Sequence, residues 1–260
     1  MHLSICTVLL YAASQPCDLL LQIEASSDDR QYVQDAQIKF DATSTDHKIA
    51  GEEGVGTRRW IQTGQQFECR YQAEVIIDRS SETIAHLRMT PHTKIPSEVV
   101  KYLMPSRYCH SELFLDFVST QFTDQSGGAL VMAMCDWVNR SFTYDSGAST
   151  ATTTAIDSFN SLSGVCRDYA HVLITLVRAA GIPARFVSVY APDVVPQDFH
   201  AVVEVFFDER WHLVDPTGMA KPNEIVRICV GRDAADASFM TSYGWMELVN
   251  QSVTVRRITP

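Results

Sequence analysis

The sequence predicts an α+β protein, with a β-rich first part and a second part in which one amphipathic helix meets an antiparallel sheet. Three observations carry this. From Phe67 to Ile77, apolar Phe67, Cys69, Tyr71, Ala73, Val75 and Ile77 alternate with Glu68, Arg70, Gln72 and Glu74, the period of a half-buried strand. Ala170, Leu173, Ile174 and Val177 recur at helical spacing, and the run stops at Gly181 with Pro183 beyond, which predicts a helix over 165–180. From His200 the period returns to two. His200, Val202, Glu204 and Phe206 share one face of a strand, and a turn at Asp208-Glu209-Arg210 leads into a second strand carrying Trp211, Leu213 and Asp215.

The remaining elements follow in order. Met1 to Leu10 has no basic n-region and breaks at Ser14-Gln15-Pro16, so it reads as a strand rather than a signal peptide. Leu19 to Ile23 and Ile38 to Phe40 are weaker strands, and glycines 51, 54, 56 and 64 punctuate loops. Gly51-Glu52-Glu53-Gly54-Val55-Gly56 is no phosphate loop, because its carboxylates repel phosphate and no Gly-Lys-Ser/Thr follows. The turn-rich stretch from Pro91 to Pro96 separates an N-terminal β-sandwich-like domain, 1–95, from a core over 96–260. Leu113, Phe114, Phe117 and Val118 form one helical stripe, and Leu130 to Val138 another, with Trp137 packing inside it. The tail from Trp245 to Ile258 is β in pattern and can complete either sheet.

Composition narrows the function. The 21 basic and 31 acidic residues give a formal charge of -10, which excludes nucleic acid and an anionic membrane as expected partners. The 7 cysteines are scattered and form no Cys-x-x-Cys pair, so no metal site, no cofactor and no disulfide framework is expected, and the compartment read from them is the cytoplasm.

Chemistry concentrates in three segments: Ser163-Gly164-Val165-Cys166-Arg167-Asp168, Phe199-His200-Ala201 and Asp215-Pro216-Thr217. Taken singly, a free cysteine is usually a small buried hydrophobe, a histidine a satisfied core residue, and an aspartate before proline a turn residue. Taken together they supply a thiol, an imidazole and a carboxylate, the set that nucleophilic acyl transfer by cysteine requires. Cys166 falls in the first turn of its helix, where unpaired N–H groups and the helix dipole favour a thiolate and can face an oxyanion. Strand parity tests the other two residues. A two-residue loop sets Asp215 opposite Val202 and a four-residue loop opposite Glu204, both on the His200 face; a three-residue loop turns it away.

These segments resemble the bacterial transglutaminase-like proteins, members of the papain-like group of cysteine enzymes. The resemblance rests on Gly-x-Cys-x-Asp-x-Ala-His from Gly164 to His171, the Ala179 to Arg185 helix exit, the Phe199-His200-Ala201 strand and Asp215-Pro216-Thr217. Asp136 to Val138, Phe142 to Asp145 and Gly231 to Asp236 extend it over most of 105–245. It implies a transglutaminase-like, papain-like core with Cys166 as nucleophile, His200 as general base and then acid, and Asp215 as the group that orients the imidazole. It implies hydrolysis of a peptide or protein amide through a thioester. Transfer of the acyl group to an amine uses the same three residues, and a non-catalytic binding module would keep the fold alone. Animal transglutaminases place an oxyanion-donating tryptophan ahead of the cysteine. No counterpart is assigned here, although the polar run from Ser149 to Thr154 lies near the expected place. The acidic loop Asp193 to Asp198, just ahead of His200, reads first as a solvated connection; as a border of the substrate site it would disfavour acidic substrates.

Overall fold

The structure, a computed structural model, describes residues 1–41 and 45–258. Six strands open the chain: β1 (His2–Ala13), β2 (Cys17–Leu21), β3 (Gln31–Phe40), β4 (Thr45–Ala50), β5 (Thr57–Thr63) and β6 (Gln66–Ile77). A helical stretch follows, with α1 (Ser97–Val100), α2 (Leu115–Gln121) and α3 (Gly127–Ser141), then the short strand β7 (Thr143–Tyr144), α4 (Ala155–Ser161) and β8 (Ser163–Gly164). The central helix α5 (Cys166–Ala179) leads into β9 (Ala184–Tyr190), β10 (His200–Phe207), β11 (Arg210–Val214) and β12 (Val226–Gly231). Two more strands, β13 (Met240–Ser242) and β14 (Met246–Arg257), end the fold.

The strands form three four-stranded sheets, ordered β14-β1-β6-β3, β13-β2-β5-β4 and β11-β10-β9-β12, plus a parallel β7-β8 pair. β6 alternates as expected, burying every second residue from Phe67 to Ile77, and β1 does the same. Leu9 and Phe67 from the first sheet join Leu19 and Ile61 from the second in one core. The β4–β5 hairpin escapes a reading by alternation because β4 is largely exposed, so burial imposes no period on its side chains.

Of the sheets open to it, the tail joins the N-terminal ones. β14 pairs antiparallel with β1, from Leu3↔Arg257 to Ala13↔Met246, and β13 pairs with β2. Residues 240–257 therefore belong spatially to the two N-terminal sheets, not to the sheet of the core. Pattern reveals that a segment is a strand; which sheet has a free edge to receive it is decided in three dimensions.

α5 forms the centre of the second part, and every residue from Asp168 to Arg178 is buried. Its start is fixed by Asp168, whose Oδ2 accepts the Val165 N–H at 2.9 Å. Gly164 is needed there because a Cβ would lie 2.7 Å from that carboxylate. Gly181, at φ +75°, ends the segment in the left-handed conformation. β9 and β10 are buried along their whole length, since α5 covers one face and a second apolar cluster, including Val187, Val202 and Leu213, covers the other.

Glu204 of β10 illustrates the consequence. It is 1% exposed and is held by Arg185 at 2.7 Å and Arg227 at 3.0 Å. Burial would raise its pKa, but the two guanidinium charges outweigh burial and hold it low. Arg185 continues to Glu53 at 2.7 Å, and Arg227 to Asp28, so this network ties the core sheet to the N-terminal strands.

Candidate active site

Three local rules of folding bring three functional groups to one place. Cys166 is the first residue of α5, placed by the Asp168 cap just described. His200 is the first residue of β10. The β10–β11 connection is a two-residue loop with Phe207 paired to Arg210, and Asp208 and Glu209 both have positive φ, 48° and 60°, the signature of a tight hairpin turn. The same register pairs Val203 with Val214, so Asp215 follows directly on the His200 side of the ribbon. The two-residue alternative from the sequence is the one the chain adopts.

His200 Nε2 and Asp215 Oδ2 are 3.0 Å apart, with side chains 0% and 2% exposed. Asp215 is itself held rigidly: Oδ1 accepts from the Thr217 N–H at 2.9 Å and the Thr217 hydroxyl at 2.8 Å, and Oδ2 accepts from the Ala220 N–H at 2.8 Å. Burial pushes the Asp215 carboxyl up, yet the hydrogen bond and charge of His200 and the Thr217 donors prevail and lower it. For His200, burial disfavours the charged ring, but hydrogen bonds and negative charge from Asp215 and Cys166 outweigh it and raise the pKa to about 10. With Nε2 given to Asp215, Nδ1 is buried without a hydrogen-bond partner of its own. It is the nitrogen left for the sulfur.

Cys166 is partly exposed, whereas Cys69, Cys109, Cys135 and Cys229 are buried, and burial pushes each of those four thiols up to about 12. A second group lies beside Cys166. The β7–β8 pair sets Tyr144 beside Gly164, and both Tyr144 and Cys166 line the same cleft. Burial and then the Cys166 charge raise that phenol. Tyr144 lies ten residues ahead of the end of the 149–154 run and carries no local signal beyond its Phe-Thr-Tyr-Asp context, so the sequence does not single it out. The hydroxyls of that run are spent internally: Thr153 Oγ1 accepts the Thr150 N–H at 2.9 Å, Thr154 caps α4, and Arg167 bonds Ser149 Oγ at 2.9 Å. Trp137 packs against Phe117 and Phe159, as its helical stripe predicts.

Cys166 and His200 open onto a cleft of about 810 Å³ whose lining also includes Arg107, Tyr144, Asp198 and Phe239, with Asp215 buried behind the imidazole. The acidic loop is less acidic than its sequence, because Arg257 Nη1 bonds Asp193 at 2.9 Å, leaving Asp198 at the cleft. Among the described residues, no group of three or more His, Cys, Asp or Glu side chains is placed to hold a metal ion.

A cysteine at a helix N-terminus, set against an antiparallel sheet that presents histidine and aspartate, defines an α+β core of the cysteine-enzyme type. More narrowly, residues 117–216 match the family model of the transglutaminase-like superfamily. Those residues form a transglutaminase-like superfamily domain. Its fold is shared with a crystal structure from Cytophaga hutchinsonii described as a candidate cysteine protease, at TM-score 0.91 and 28% identity, covering 100% of this chain and 93% of that one. A protein of uncharacterised function from Mycobacterium leprae (strain TN) is 28% identical over 117 residues. That match spans 42% of this chain and 42% of the relative's length. No helix among the described residues is long and apolar enough to cross a membrane.

Proposed function

We propose that the protein is a cysteine-dependent amide or peptide hydrolase in which Cys166 is the nucleophile, His200 the proton carrier and Asp215 the group that orients the imidazole. The observation that carries this reading is the buried 3.0 Å contact between His200 Nε2 and Asp215 Oδ2, which leaves Nδ1 to the Cys166 sulfur. A carboxylate behind the ring fixes its orientation and stabilises the imidazolium. With the imidazolium favoured, Cys166 attacks the amide carbonyl as a thiolate. The C–S bond forms, the carbonyl π electrons move to oxygen, and the oxyanion is met by the Cys166 N–H and the Tyr144 hydroxyl. Its collapse breaks the C–N bond. His200 gives its proton to the leaving amine, and a thioester remains on Cys166. Water, deprotonated by His200, then attacks that thioester and releases the acid.

Hydrolysis is favoured over transfer to an amine because Cys166 is partly exposed in a wide cleft, which admits water to the thioester. The substrate is a peptide or protein, and the free state of all seven cysteines suits a reducing cytoplasm.

Iodoacetamide tests the reading directly. Cys166 alkylates faster than the other six thiols, and the pH dependence of its labelling changes in His200→Ala and in Asp215→Asn. Equal, slow labelling of all seven in the unmodified protein sinks the proposal.

A further inference from the structure

One wall of the cleft is apolar and built from two distant parts of the chain. Val194 and Pro196 come from the loop ahead of β10, Phe199 from its end, and Phe239 and Met240 from the tail that folds with the N-terminal sheets. Phe199 and Phe239 lie face to face, with ring centroids 4.5 Å apart and planes 9° from parallel. Tyr190 backs Phe199 at 5.5 Å.

This wall is held in place before any substrate arrives. β14 bonds the loop at three points: Gln251 Nε2 donates to Asp198 Oδ1 at 2.6 Å, the Val255 N–H to Gln197 Oε1 at 2.6 Å, and Arg257 Nη1 to Asp193 Oδ1 at 2.9 Å. Gln197 Nε2 in turn donates to Pro192 O at 2.7 Å. A loop so fixed loses little further freedom when a ligand binds, and apolar surface facing a water-filled cleft gains free energy when covered. The cleft also carries a positive group, Arg107, whose guanidinium lies 5.1 Å from the Tyr108 ring centre.

We infer that the wall formed by Phe199, Phe239, Val194, Pro196 and Met240 is a specificity subsite for a bulky apolar side chain, aromatic or branched aliphatic, next to the scissile amide of a polypeptide substrate. The inference rests on the amide-hydrolase reading for its chemistry, but the subsite binds whether or not turnover occurs. Asp198 at its rim turns away acidic side chains by charge repulsion.

Protection of Cys166 measures this. The capped amides of phenylalanine, leucine, alanine and glutamate compete with iodoacetamide in the full chain, and alkylation is read by mass spectrometry on the Cys166 peptide alone. The phenylalanine and leucine amides halve the labelling rate at concentrations about tenfold lower than the alanine amide, and the glutamate amide protects least. Phe239→Ala reduces that advantage to about threefold or less by removing the stacked ring. Thr241→Trp, which adds bulk to the cleft from β13 without removing packing, does the same. Equal protection by all four amides, or an undiminished advantage in both variants, overturns the subsite. In the amide-free iodoacetamide experiment, a Cys166 no faster than the other six thiols would defeat the hydrolase reading, while protection of the Cys166 peptide would still measure side-chain selectivity. A fast Cys166 without selectivity would do the reverse.

Discussion

Asp198 accepts a 2.6 Å hydrogen bond from Gln251, so the strand that closes the N-terminal sheet also steadies the loop that delivers His200 to the site. The bond joins residues 53 apart in sequence. Gln251→Ala removes the donor and costs about 1 kcal/mol of stability, and Gln251→Glu, which sets a second carboxylate against Asp198, costs more. Hydrogen exchange of the amides in 193–199 accelerates in both variants. Exchange rates indistinguishable from the parent protein there would show that β14 does not hold the loop.

Tyr144 lines the cleft beside Cys166, and burial and then the Cys166 charge raise its phenol. A peptide aldehyde, which forms a hemithioacetal bearing an oxyanion, reads its contribution. In Tyr144→Phe, aldehyde affinity measured against the rate of iodoacetamide alkylation falls on the order of 10²-fold, because alkylation develops no oxyanion and hemithioacetal formation does. A parallel fall in both would instead assign Tyr144 to positioning the thiol.

Two histidines give the protein opposite sensitivities to pH. His200 is raised from 6.5 to about 10 on folding. Its folded form binds a proton that the unfolded chain has released, so its contribution is complete below about 6.5 and is lost as pH climbs towards 10. His171 is fully buried, its Nε2 accepts the Ala234 N–H at 3.1 Å, and burial, reinforced by Arg167 and Arg178, lowers its pKa well below 6.5. Its contribution stands above 6.5 and disappears as pH falls, because unfolding takes up a proton. Melting temperature therefore drops on both flanks. His200→Gln flattens the alkaline flank and His171→Gln the acid one, and a scan of melting temperature against pH checks each separately.

Glu204 compensates two buried guanidinium groups. Glu204→Gln leaves Arg185 and Arg227 without their shared carboxylate and destabilises the fold by about 3–5 kcal/mol, measured by urea unfolding. A loss below about 1 kcal/mol would mean that Glu53 and Asp28 suffice for the two arginines.

Much of the site's scaffolding was legible residue by residue. The apolar repeat with Gly181 and Pro183 predicts a helix over 165–180, and the chain forms one from Cys166 to Ala179. Parity restricts Asp215 to the His200 face for two of three loop lengths, and the two-residue turn chooses among them. These readings succeed because they depend on local periodicity and turn geometry, which neighbouring residues set among themselves.

The sequence by itself determined the helix and the hairpin that carry the site, the order of thiol, imidazole and carboxylate along the chain, and the helix start that presents Cys166. Tertiary structure alone decided that the tail strands join the N-terminal sheets, that both faces of β10 are covered, that Tyr144 shares the cleft with Cys166, and that Phe239 lines it. Periodicity records which residues of an element are buried or paired with near neighbours. Contacts between residues tens or hundreds of positions apart leave no period to read, because they depend on which edges and faces remain open once the chain has folded.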